Sequence, residues 1–279
     1  MEAALQRRIQ RYGWDRAVDH YERLWSSQLK SAQERLVESA QLKPGARVLE
    51  ISCGTGLVTW PLAARVGSTG KVIATDISER MVARTAAEAV SRGLSQVSCR
   101  RMGAESIDEP DASFDAVVCA LGLMYVPDVA TALGEMYRVL LPGGRAAAAV
   151  WGARAQCGWA EVFPIVESRV ASDVCPMFFH LGTHDTLANS LARAGFVNVR
   201  ADRLASTLEY ESAEDAADAA FVGGPVALAY ARFDDTTRLA ARREYLESIA
   251  AYRFGQGYRV PGEFVVGCGE KPSTDTSHK

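Results

Sequence analysis

The stretch Val48-Leu49-Glu50-Ile51-Ser52-Cys53-Gly54-Thr55-Gly56-Leu57 decides the fold of this 279-residue chain. Its first half is a short apolar run containing an acid, the pattern of a strand buried on both faces. Its second half is a turn of small residues, and a helix follows over 57–66. Glycines in such a turn reach positive φ and let a ligand lie against bare backbone. The amino end of the helix offers N–H groups to an anionic moiety. Asp76 ends a second strand, KVIATD over 71–76. In a parallel sheet that acid adjoins the first turn, where a carboxylate can accept the two hydroxyls of a ribose. The arrangement points to a nucleoside-bearing ligand across the strand ends.

Outward from this core, strand and helix keep alternating. Pro61 falls in the first turn of its helix, the position a proline tolerates. Ser78 reads as an N-cap for an amphipathic helix over 80–92 that stops at Gly93. QVSCRR (96–101) and FDAVVCA (114–120) read as strands three and four, 128–140 as a helix, and GRAAAAVW (144–151) as strand five after the turn Pro142-Gly143-Gly144. Such alternation with short links predicts an α/β fold, a parallel sheet doubly wound with helices. Before it, residues 1–42 read as a helical cap in which Gly13 separates a short helix from a longer one. After it come helices over 157–172 and 184–194 and a strand over 196–204. An Ala-rich helical insertion over 205–257 and a last strand over 258–268, bent or bulged at Pro261-Gly262, complete the domain over 43–268. The tail 269–279 is expected to be disordered.

The dinucleotide fingerprint Gly-x-Gly-x-x-Gly needs a third glycine, and Thr59 stands there. Glu50 would repel a pyrophosphate but suits an ammonium group. S-adenosylmethionine has that amine, a carboxylate for the helix end, a ribose for Asp76 and no phosphate. VLEISCGTG, ATDIS, MGAESI, FDAVVCALGLMYVPD and RVLLPGGR, in that order, make residues 42–152 resemble the class I S-adenosylmethionine-dependent methyltransferases, and in particular the branch of UbiE-like and other small-molecule methyltransferases. That family usually reads Glu/Asp-x-Gly-x-Gly-x-Gly, and this chain has Ser52 at the first glycine.

The resemblance implies a Rossmann-like sheet of seven strands, mostly parallel with an antiparallel last strand. It implies Glu50 near the methionine moiety of the cofactor, with Ser52, Gly54 and Gly56 as the backbone wall. Asp76 would hold the ribose, Ile77 and Met81 the adenine face, Ala104 and Glu105 the adenine amine, and Ala120 and Leu121 the underside of the methionine chain. Tyr21 and Trp25 fall where the family has its lid. Further aromatics gather nearby, among them Tyr12, Trp14, Tyr125, Trp151, Trp159, Phe163, Phe178 and Phe179. Helical spacing assigns most of this set to the core, and the rest suits an apolar acceptor pocket.

Methyl transfer from a sulfonium is an in-line displacement in which the donor brings the activation, so the protein mainly aligns the partners and excludes water. A general base is needed only where the acceptor must lose a proton. His20 and His180 are the candidates for that role; His184 opens a helix and His278 lies in the tail.

The rest of the sequence narrows the partners. Apolar residues make up 48% and charged ones 23%, as in an ordinary globular protein. With 31 basic and 34 acidic residues, the net charge of −3 argues against nucleic acid as the principal partner. The residues after strand four, Ala120-Leu121-Gly122-Leu123, are not the Asn/Asp-Pro-Pro-aromatic turn of amino-methylating nucleic-acid enzymes. No apolar run approaches the ~20 residues of a membrane span, and the charged first twenty residues lack a secretory core. The cytoplasm is the expected setting. The six cysteines form no CxxC pair, so they read as reduced, mostly buried thiols, and no metal site is expected. A small-molecule acceptor remains, and the insertion suits either a lid or a homodimer contact. The alternatives are an NAD(P)-dependent oxidoreductase using the same switch point, and a non-catalytic S-adenosylmethionine-binding protein with Ser52 as its trace of decay.

Overall fold

In a computed structural model, residues 2–170 and 177–273 are described. Cys175, the final residues of the tail and His278 lie outside them. Neighbouring residues of β1 (Arg47–Ile51) show how the sheet is held. Val48 packs on one face with Leu62, Val66 and Val72, and Leu49 and Ile51 pack on the other with Ile73, Val117 and Leu133. Each such fully buried aliphatic side chain contributes roughly 1.5–3 kcal/mol. A strand apolar on both sides therefore belongs mid-sheet.

On one face lie α2 (Lys30–Ser39) and α3 (Thr59–Val66); on the other lies α5 (Val129–Val139). Around β1 run β2 (Lys71–Asp76), β3 (Val97–Arg101), β4 (Phe114–Ala120) and β5 (Leu140–Trp151), all parallel. β6 (Val197–Tyr210) and β8 (Gly257–Glu270) complete the order β3-β2-β1-β4-β5-β8-β6, with β8 antiparallel to both neighbours. The two-residue β7 (Arg253–Phe254) hairpins onto β8, so the seven expected strands become eight. α4 (Glu79–Ser91) follows β2, and Ser78 caps it by accepting from the Met81 N–H.

Several elements differ from their expected bounds. Gly13 does not divide the first helix, because α1 (Ala3–Trp25) runs straight through it and the break comes at 26–29. A lone glycine costs a helix only about 1 kcal/mol, and polar ties to α4 hold α1 on both sides of it. The helix expected over 157–172 shrinks to α6 (Val162–Glu167), because Pro164 must sit in a first turn. α7 (Thr186–Arg193) matches its expected place and is followed by Gly195 at φ 98°. β6 runs to Tyr210, past the start of the insertion at 205: Leu208 and Tyr210 are buried while Thr207 and Glu209 are exposed, a strand alternation. The helices of the insertion are α8 (Ala213–Phe221), α9 (Ala227–Tyr230) and α10 (Asp235–Ser248).

Pro142-Gly143-Gly144 lies inside β5 as an irregularity, where pairing jumps from Phe114–Leu140 to Ala116–Arg145. Pro261 and Gly262 pair in unbroken register with Thr207 and Ser206, with no bulge. The Pro261 carbonyl accepts from the Gly158 N–H at 2.9 Å, so the proline's missing donor faces away from β6 and costs that ladder nothing. β8 reaches Glu270, two residues into the expected tail.

Candidate active site

The carboxyl ends of β1, β2 and β4 converge on one cleft, and its floor is the turn after β1. Glu50 is 1% exposed. Its Oε2 accepts from the Thr59 hydroxyl at 2.6 Å, while Oε1 is buried with no partner among the described residues. Burial pushes its carboxyl up to about 8; the Thr59 hydrogen bond opposes that rise and nearby Asp76 adds to it.

Beyond Glu50 the backbone turns through left-handed conformations at Ser52 (φ 58°), Gly54 (φ 56°) and Gly56 (φ 94°). A side chain at Gly56 would collide with the Trp60 ring, 2.3 Å from an added Cβ, so that glycine is needed for packing. Ser52 is different. It holds a strained left-handed backbone with a side chain attached, and the room for that side chain comes from Gly122, where a Cβ would lie 2.4 Å from the Ser52 Cβ and Oγ.

Asp76 fastens this turn to the second strand. One carboxylate oxygen accepts from the Gly54 N–H at 3.0 Å and the other from the Ser78 N–H at 2.8 Å. Burial pushes its carboxyl up to about 6 against the lowering effect of those backbone donors. The Gly54 carbonyl in turn accepts from the Thr85 hydroxyl at 2.7 Å, which pins the turn to α4.

Over the cleft lies α1, tied down along its length. Arg7 pairs with Glu105 at 3.1 Å, Arg11 with Glu79 at 3.3 Å, and Arg80 with Asp19 at 2.8 Å. Asp15 accepts from the Ser78 hydroxyl at 2.6 Å and from the Arg80 N–H at 3.2 Å. Glu105 also accepts from the Asp128 N–H at 2.9 Å. Further along α1, Arg23 reaches Asp215 and Asp218 of α8, at 3.2 and 3.4 Å, and the Trp25 indole donates to the Gly223 carbonyl at 3.0 Å. The cavity so enclosed holds about 960 Å³, its mouth included.

Eleven of the expected site residues line that cavity: Tyr21, Trp25, Ser52, Gly54, Asp76, Ile77, Met81, Ala104, Glu105, Ala120 and Leu121. Glu50 is buried behind the turn and does not itself line the cavity, and Gly56 is covered by Trp60. His20 and His180, the candidate bases, are both exposed, and neither lines the cavity. His20 is on the exposed side of α1, and His180 is in the turn region before α7. His184 is exposed as well. Sequence reasoning missed Arg7, Gln10, Leu29, Gly122, Met124 and the insertion residues Gly224 and Pro225. The spacing of positions 7, 10, 14, 21 and 25 along one helix face was the signal for the first two.

At the end of the cavity away from Asp76, three indoles meet edge to face. Ring centroids are 6.0 Å apart for Trp25–Trp151, 6.2 Å for Trp25–Trp159 and 4.8 Å for Trp151–Trp159. Trp14 bridges to the other end through Tyr21 and Tyr125, at 5.7 and 5.2 Å. Among the described residues no group of three or more His, Cys, Asp or Glu is placed to hold a metal, and no helix is long and apolar enough to cross a membrane.

Residues 48–144 match the family model described as a methyltransferase domain. The chain is 32% identical to nocamycin O-methyltransferase of Saccharothrix syringae, over 67% of this chain and 72% of that one. The chain belongs to the class I S-adenosylmethionine-dependent methyltransferases. This methyltransferase is also 43% identical to the UbiE C-methyltransferase of Xanthomonas oryzae pv. oryzae, over 39% of this chain and 44% of that one. Its fold is shared by a putative methyltransferase from Bacillus halodurans, with a TM-score of 0.60, 22% identity and coverage of 87% of this chain and all of that one. The methyltransferase is an enzyme whose cofactor is S-adenosylmethionine. Neither the NAD(P) reading nor the non-catalytic reading gains support from these similarities.

Proposed function

We propose that this methyltransferase carries a methyl group to a small, largely apolar acceptor held against the wall formed by Trp25, Trp151 and Trp159. The observation that carries the proposal is the continuity of one cavity, from the Ser52–Gly54 turn and Asp76 at one end to the three indoles at the other. Such continuity lets donor and acceptor meet in line without water between them.

The donor end fits the cofactor chemically. The bare Oε1 of Glu50 is a buried acceptor lacking a donor, and an ammonium group supplies one together with the charge that favours ionised Glu50. Both Asp76 oxygens already accept a backbone N–H, and each keeps a lone pair for a ribose hydroxyl. Ile77 and Met81 would flank the adenine, Ala104 and Glu105 its amine edge, and Ala120 and Leu121 the methionine chain. Bound there, S-adenosylmethionine supplies an electrophilic methyl carbon whose sulfur departs with the bonding pair. The chain's own work is to orient the two partners and keep the chamber dry. Gly224 and Pro225 wall the chamber, so a lid is the role we assign to the insertion in preference to a homodimer contact. A cytoplasmic setting belongs to the same proposal, supported by the unpaired thiols of Cys53, Cys99, Cys119, Cys157 and Cys268.

The relatives named above include an O- and a C-methyltransferase, and both atom types stay within the proposal. The test is an acceptor screen read by S-adenosylhomocysteine release. Release with small ring-containing acceptors, and none with peptides or oligonucleotides, is the expected outcome. Release confined to the macromolecules would overturn it.

A further inference from the structure

The three indoles on the cavity wall are not equivalent. The Trp25 N–H is bonded to the Gly223 carbonyl. Trp159 is 2% exposed and sits on the cavity wall beside Trp25 and Trp151, yet its Nε1 is buried with no hydrogen-bond partner among the described residues. Its ring is otherwise surrounded by Trp151, Phe163, Phe178 and Phe179, at centroid distances of 4.8 to 5.9 Å, none of which offers a lone pair of the required kind. A buried donor left unpaired is destabilising, and a phenylalanine would fill most of the same space without it. Trp159 also lines the cavity, and because its Nε1 is sealed from water there, a guest oxygen reaches it by a small displacement of the ring or its neighbours.

We infer that the Trp159 indole N–H is a recognition donor for an oxygen of the acceptor. The acceptor class is then a flat, largely apolar ring system with a carbonyl or enolate oxygen at its edge. This rests on the proposed apolar acceptor and narrows it. Trp14, Tyr21, Trp25, Tyr125, Trp151 and Trp159 supply aromatic rings to the walls, which suits a planar guest. A hydrogen bond to the attacking atom would lower its nucleophilicity, so the oxygen at Trp159 is a neighbour of the methylated atom. Anchoring that oxygen turns the reactive edge of the ring toward the Ser52 end of the cavity. Trp159 is thus a specificity and positioning residue.

The experiment uses full-length protein saturated with S-adenosylhomocysteine and two size-matched probes, 1-tetralone, which carries the oxygen, and tetralin, which lacks it. Indole N–H resonances are followed by nuclear magnetic resonance and assigned in the wild-type protein through nuclear Overhauser contacts. The wild-type protein should bind 1-tetralone about three- to tenfold more tightly than tetralin. The Trp159 indole proton should move downfield with the ketone alone, while the Trp25 proton, already bonded, stays in place. Trp159→Phe should lose the preference and keep its affinity for S-adenosylhomocysteine. Equal affinity for the two probes, or a preference that survives in Trp159→Phe, overturns the inference and leaves the apolar chamber standing. Failure of both probes to bind overturns the apolar-acceptor reading and the inference with it. The wild-type resonance decides the matter even if the variant does not fold.

Discussion

A carboxyl group sealed beneath a turn, with one oxygen bonded and one bare, is comfortable as an acid or beside a cation. Glu50 is in that position, and burial raises both its carboxyl, to about 8, and that of Asp76, to about 6. The cofactor-free folded protein therefore holds protons that the unfolded chain has released. Their contribution to stability is complete below the ordinary carboxylate range and is lost as pH rises through the folded values. An ammonium ligand reverses this at Glu50, because it favours the ionised form. Binding of S-adenosylhomocysteine at pH 7 should release a proton, seen as a buffer-dependent enthalpy in calorimetry. Glu50→Gln should abolish the release and weaken binding about tenfold or more, as loss of a charge-assisted contact does. A buffer-independent enthalpy in the wild-type protein would remove Glu50 from the ammonium site. Across the turn, Ser52 and Gly122 make a second testable pair. Gly122→Ala drives a Cβ to 2.4 Å from the Ser52 side chain and should destabilise by about 1–3 kcal/mol. Ser52→Gly should restore most of that loss in a urea-unfolding double-mutant cycle, and purely additive effects would show that the two residues do not share the space.

Among the elements, α1 is held by buried Ala17, Val18, Leu24 and Trp25 as well as by polar ties. Asp15 is the central one, since it serves both the buried Ser78 hydroxyl and the first turn of α4. Asp15→Ala should cost about 1 kcal/mol and speed amide exchange in α1 while leaving β1 and β2 protected. Unchanged exchange in α1 would show that the tie is idle. The same element marks the limit of sequence reading. β1, β2, β4 and the cap of α4 were legible because each has a local signature: a buried run bounded by small residues, or a serine in the right place. The continuity of α1 through Gly13 was not, because the partners that outweigh a helix-weakening glycine lie on α4, far along the chain. α6 was overestimated for want of weight given to Pro164, and the extra length of β6 lay in an alternation, Thr207 to Tyr210, that the Ala-rich stretch after it obscured.

For the molecule as a whole, the donor half of the site was readable from ordered motifs, and the acceptor half was not. The donor residues follow the ends of successive strands, where position in the chain fixes position in space. The acceptor chamber is assembled from α1, the loop after β5 and the insertion, whose meeting is a matter of tertiary packing. Exposed His20 and His180 make the same point, since a residue type without a placed neighbour says little about a site. One consequence follows from α1 touching both halves, through Arg7 and Glu105 at one end and through Trp25, Gly223 and the Arg23 pairs with α8 at the other. A guest that settles the indole end steadies the same helix that covers the donor. The two occupancies then strengthen each other by equal factors, as thermodynamic reciprocity requires. Each spent partner would accordingly slow the departure of the other, and whichever leaves first loosens the hold of this single helix on the one that remains.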